Sequence, residues 1–234
     1  MPRFDACLVT CEHASNAVPV RWRAPFEGRT GVLHTHRGWD PGALLLAQEL
    51  ADDLKAPLFA GQITRLLVDL NRREDNRAAF SEFTLELNPE QRVQLLNLYH
   101  RPYRVRVRDA VEEAVSAGRR LLHLSCHSFT PVLDGNVREA EIGLLFDPDR
   151  PLESELCTAW QQAMLEALPG SRVRLNYPYL GTDDGVTTWC RELARADLYA
   201  GVEIELNQQF AAGEPGGWSA IRRAIRRTLR DCLK

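Results

Sequence analysis

The chain has 234 residues, 44% of them hydrophobic and 26% charged, with a net charge of −3. That balance excludes a disordered or fibrous chain and gives no overall basic footprint for nucleic acid. No stretch is long and apolar enough for a membrane span, and the start, Met-Pro-Arg-Phe-Asp, lacks the basic-then-apolar pattern of an export signal. No linker rich in Gly, Ser or Pro divides the sequence, so residues 1–234 are expected to form a single domain. The six cysteines are scattered with no close pair, and the expected setting is reduced, hence cytoplasmic.

Short apolar runs alternate with helical patterns, which predicts an α/β domain with a largely parallel sheet covered on both faces. In chain order, Ala6–Cys11 reads as a strand that runs into Glu12-His13-Ala-Ser-Asn16. Leu46, Leu50 and Leu54 then repeat at helical spacing. Ile63–Val68 reads as a second strand, ending in Asp69-Leu-Asn71-Arg72. Tyr103, Val107 and Val111 mark a helix before a strand at Leu121–Cys126, which ends in His127-Ser128. Ile142–Phe146 and Val173–Leu175 are further strands, and Gly181-Thr182-Asp183-Asp184-Gly185 is a turn by composition. Gly201–Leu206 is a last strand carrying Glu203 and Glu205. Trp218, Ile221, Ile225 and Leu229 form one stripe of a C-terminal helix whose basic residues, Arg222 to Arg227, read as a solvated face.

Polar residues gather where strands end, which is where open α/β sheets bind ligands. His13 and His127 sit at two such ends, and two imidazoles with a third ligand and an open position make a catalytic zinc site. From the residues alone the third ligand is open among Glu12, Asp40, His34, His36 and Asn16. A carboxylate in an apolar strand is costly unless something rewards it, and serving as general base beside a cation would do so. Glu203 and Glu205 share a face, so either could fill that role. Arg65, Asn71 and Arg72 are suited to gripping a substrate carboxylate, with Thr182 and Asp183 as further candidates for a pocket wall. A cysteine amidase built on Cys126 beside His127 is disfavoured because adjacent residues along a strand point to opposite faces, and one built on Cys11 near His13 carries little weight beside the metal site.

Six ordered segments, Val9–Pro19, His36–Ala43, Arg65–Arg72, His127–Pro131, Gly181–Gly185 and Glu203–Gln208, resemble the N-formylglutamate amidohydrolases. The resemblance implies a three-layer α/β/α sandwich related to zinc exopeptidases, with a mixed, largely parallel sheet. It also implies one zinc ion per chain and hydrolysis of an N-formyl or N-acyl amino acid, with no nucleic acid or membrane partner. His13-Ala-Ser-Asn16 and Ile204-Glu-Leu206 are also similar to the first zinc motif and the catalytic-glutamate strand of carboxypeptidase-like enzymes, which favours Glu205 as base. Asn16 stands where those enzymes place a glutamate ligand. The resemblance therefore favours Asp40, at the end of His-Arg-Gly-Trp-Asp, as third ligand with His13 and His127. In this reading the zinc acidifies a water, Glu205 takes its proton, and Arg65, Asn71 and Arg72 hold the substrate carboxylate. The rival expectation is a non-catalytic protein that holds an acidic metabolite on the same fold.

Overall fold

The computed structural model describes residues 2–210 and 217–234. The strands are β1 (Ala6–Cys11), β2 (Leu58–Ala60), β3 (Leu121–Phe129), β4 (Val132–Leu133), β5 (Asn136–Val137), β6 (Ile142–Leu145), β7 (Val173–Leu175) and β8 (Tyr199–Asn207). The helices are α1 (Ala43–Leu54), α2 (Pro89–Leu95), α3 (Arg101–Ser116), α4 (Pro151–Ala167), α5 (Val186–Leu193) and α6 (Gly217–Cys232). Six strands form one sheet in the order β2-β1-β3-β8-β6-β7, while β4 and β5 make a small separate hairpin. All neighbours in the large sheet are parallel except β6 and β8. No helix among the described residues is long and apolar enough to cross a membrane.

The two faces of β3 explain the layering. Leu122, Leu124 and Cys126 point one way, into the main apolar core with α1, α4 and α6. His123, Ser125 and His127 alternate with them and point the other way, toward the α3 and α5 layer. That second layer is apolar near the strand starts, where Tyr103, Val107, Val111 and Cys190 pack on Leu8 and Leu121. It becomes polar toward the strand ends, so the site is built on the α3/α5 side. α1 and α6 are clamped on the opposite side by Arg222 on Glu49 and Arg226 on Asp53, at 2.8 Å and 2.7 Å.

The predicted strand at Ile63–Val68 is not a strand. Its apolar residues are buried, but in a separate cluster with Trp22, Phe26, Phe83 and Leu95 rather than in the sheet. Its backbone groups bond outside any strand ladder, Thr64 N to the distant Ala17 O and Leu67 N to the nearby Thr64 O. A short apolar run fixes burial without fixing conformation, because periodicity does not separate a buried strand from a buried turn. The edge of the sheet beside β1 is instead the three-residue β2, too short to carry a pattern. α2 opens on a capping box between Asn88 and Gln91 and continues through a π-helical turn, Leu96–His100, into α3.

Candidate metal centre and active site

Three segments bring their polar ends together. His13 lies two residues beyond β1, His127 lies near the end of β3, and Asp40 precedes α1 with its backbone N–H donating to His13 O. One ligand atom from each of these buried residues lies within 4.8 Å of the others. Both imidazoles turn Nδ1 to the same oxygen, Asp40 Oδ2, at 3.3 Å from His13 and 3.0 Å from His127. Their Nε2 atoms face away, and each meets a second carboxylate: Asp69 Oδ1 at 2.7 Å from His13 and Glu12 Oε2 at 3.1 Å from His127.

Donor logic places the protons. Arg65 Nη1 lies 3.1 Å from His13 Nδ1, and a guanidinium can only donate, so Nδ1 accepts and the His13 proton resides on Nε2, facing Asp69. Asp69 is itself fixed by Arg65 and by the backbone N–H of Asn71. Ser125 gives its hydroxyl proton to Glu12 Oε2 at 2.6 Å, so its oxygen accepts from His127 Nε2 at 2.9 Å. Tyr103 donates to the other Glu12 oxygen at 2.7 Å. Carboxylates behind imidazoles in this way orient metal-binding histidines and raise their basicity.

The electrostatics follow from burial and crowding. Burial pushes the Asp40 and Glu12 carboxyls up, but the histidines and hydroxyls bonded to them outweigh it and hold both well below the ordinary range. Burial works against charging His127 as well. Asp40 and Glu12, one at each ring nitrogen, outweigh it and raise that imidazole well above its usual value. Glu205 is different. Burial pushes it up to about 8, and the neighbouring Asp40 and Glu203 charges add to the rise against opposition from His127 and Arg65. Its Oε2 has no hydrogen-bond partner among the described residues. Glu203, two residues back on β8, instead accepts from Thr187 Oγ1 at 2.6 Å.

This donor set fits a divalent cation. Two imidazole Nδ1 atoms and a carboxylate oxygen converge on a common point, the set typical of a catalytic zinc. Five buried carboxylates, Glu12, Asp40, Asp69, Glu203 and Glu205, surround the point, and a cation there would offset them.

A cavity of about 150 Å³ opens onto the cluster. His13, Asp40, His127, Arg65, Asn71, Arg72, Asp183 and Glu205 all line it, together with His36, Tyr179 and Glu203. Thr182 does not. The Asn71 amide oxygen accepts from Val186 N at 2.7 Å, so this side chain anchors the start of α5. Arg72 donates to the carbonyl of Asp184. Asn16 pairs with His34 at an exposed position off the cavity wall, and Glu12 sits behind His127. Asp69, Ser125 and Tyr103 are the contributors that sequence reading passed over. The signal for Ser125 was present in its position two residues before His127 on the same strand face; Tyr103 read only as part of an apolar stripe. Cys11 and Cys126 lie in the apolar core on the opposite sheet face, and burial pushes both thiols up, so neither pairs with a histidine.

No curated protein sequence matches the chain. Among solved structures, a gene product of Agrobacterium tumefaciens superposes with a TM-score of 0.81 at 30% identity, covering 98% of this chain and 91% of the other. An N-formylglutamate amidohydrolase from Ralstonia eutropha JMP134 superposes with a TM-score of 0.72 at 20% identity, over 99% of this chain and 95% of the other, a likeness of fold. The family model described as N-formylglutamate amidohydrolase matches residues 5–212. The chain therefore belongs to the N-formylglutamate amidohydrolase family, and its chemistry is the hydrolysis of an amide.

Proposed function

We propose that the chain hydrolyses the amide bond of a small N-formyl or N-acyl amino acid with an acidic side chain, at a zinc site held by His13, Asp40 and His127, with Glu205 as general base. The observation that carries this reading is the convergence of two histidine Nδ1 atoms on Asp40, beside a buried carboxylate with an unpartnered oxygen. When bound, the cation would polarise the scissile carbonyl and make water a better acid. Glu205 accepts a proton from the attacking water as the water oxygen bonds to the carbonyl carbon. It then delivers that proton to the amine nitrogen as the C–N bond breaks, which leaves a carboxylate and a free amino acid. Arg65 and Arg72 hold the substrate carboxylates, and Asp183 lines the same cavity, which fixes the reacting geometry. Asn71 holds the start of α5 through Val186 N.

The test uses chelated protein reloaded with one equivalent of zinc. N-formylglutamate is expected to turn over faster than N-formylleucine, and Arg72→Met is expected to raise KM for the acidic substrate about tenfold, the loss of roughly one charge-assisted bond. Failure of the reloaded protein to hydrolyse any N-formyl or N-acyl amino acid would refute the reading.

A further inference from the structure

A second cavity, about 370 Å³, lies beyond Arg72 on the outer side of α3 and α5. Its floor is formed by His100 and Arg104, only 3% and 7% exposed. Both donate to the carbonyl of Arg72, His100 through Nε2 at 2.7 Å and Arg104 through Nη2 at 2.8 Å. Their remaining polar atoms are unpartnered: Arg104 Nε and Nη1 and His100 Nδ1 have no hydrogen-bond partner among the described residues. The other lining arginines are matched to acids, Arg73 to Glu192, Arg101 to Glu74 and Arg108 to Asp109. Arg104 is thus the lining guanidinium that no carboxylate meets among the described residues, and it is the most buried of the four.

A buried guanidinium without an acid is unfavourable, and a carboxylate is the group that best offsets it. Two apolar side chains lie beside it: the Trp189 ring is 4.9 Å from the Arg104 guanidinium, and Val105 flanks the opening. His100 uses its one N–H on Arg72, and burial keeps the imidazole from charging readily, so Nδ1 is an acceptor for a donor on the ligand. We propose that this second cavity binds a small organic acid that carries an O–H or N–H next to its carboxylate, the carboxylate meeting Arg104, the donor meeting His100, and an apolar body lying against Trp189. Because the same two side chains hold the Arg72 carbonyl, the two cavities share a wall.

The probe is mandelate, which has a carboxylate, an adjacent hydroxyl and a phenyl ring, titrated calorimetrically into the full chain with mandelamide as its uncharged counterpart. Binding of one mandelate per chain is expected, weakened about tenfold or more for mandelamide and for Arg104→Met, the loss of one charge-assisted contact. Val105→Glu keeps the test sound if Arg104→Met fails to fold: it places a negative charge at the exposed mouth, leaves the floor intact, and is expected to weaken mandelate similarly. Arg72→Met, which removes a guanidinium from the catalytic cavity, is expected to leave the affinity unchanged. Absence of mandelate binding at millimolar concentration, equal affinity for mandelamide, insensitivity to Val105→Glu, or loss of binding in Arg72→Met would each overturn the proposal.

Discussion

Replacing Glu205 with Gln separates the carboxylate's chemical role from its cost to the fold. In the metal-free protein the carboxyl titrates near 8 because it is buried beside Asp40 and Glu203, whereas in the unfolded chain it titrates near 4.5. Above pH 4.5 the unfolded state loses a proton that the folded state keeps, so stability falls as pH rises and levels off only beyond pH 8. At pH 7 the difference is 2.5 pH units, or about 3 kcal/mol. Gln is neutral in both states and escapes that penalty. With chelator present, Glu205→Gln is therefore expected to melt roughly 6–12 °C above the parent protein at pH 7, and at nearly the same temperature near pH 4.5. The zinc-loaded variant, assayed on N-formylglutamate, is expected to lose about 10²- to 10⁴-fold in kcat, the usual worth of a positioned proton carrier. Stabilisation with loss of turnover is the combined signature. Equal melting temperatures across pH 5 to 8 would refute the account of Glu205 as a desolvated carboxylate, and an undiminished kcat would remove it from the reaction.

Three other changes probe the supporting structure. Glu12→Gln removes the charge behind His127 Nε2 and is expected to weaken zinc binding about 10- to 100-fold, read by competition with a chelating dye. Arg191→Met removes the nearer of two arginine partners from Glu153, which is fully buried and paired with Arg191 at 2.9 Å and Arg150 at 3.4 Å, and is expected to cost about 3–5 kcal/mol in denaturant unfolding. Gly143→Ala would place a methyl group 1.9 Å from Tyr177 O and 3.3 Å from Glu205 Cβ, so about 1–3 kcal/mol of stability should be lost, measured the same way.

Much of the architecture was legible because it rests on local pattern. The Leu46/Leu50 stripe, the apolar run Leu121–Cys126 and the apolar strand with two glutamates each describe a surface that must be buried on one or both sides, and each is buried in the fold. Ile63–Val68 misled because burial was its only signal. Asp69 reaches the site from a turn, held by Ala79 O and Arg65 rather than by a sheet register. Ligand geometry was beyond the sequence for a related reason. The approach of Asp40 to His127 spans 87 residues and depends on the hydrogen bond from Asp40 N to His13 O, a tertiary contact with no local trace. The second cavity was invisible too: Arg104 resembles its neighbours Arg101 and Arg108, and only the folded structure reveals which of them lacks an acid.

The alternation along β3 has a consequence for how this protein fails. A slip of β3 by one residue against β8 would carry Leu122, Leu124 and Cys126 into the polar layer and drive His123, Ser125 and His127 into the apolar core. The same slip would separate His127 from Asp40 and Glu12. Pairing errors in this strand thus destroy the core and the reactive centre together, so a misassembled chain would be silent rather than partly active. Specific activity in a refolded sample accordingly counts the fraction of molecules whose central strand has found its register.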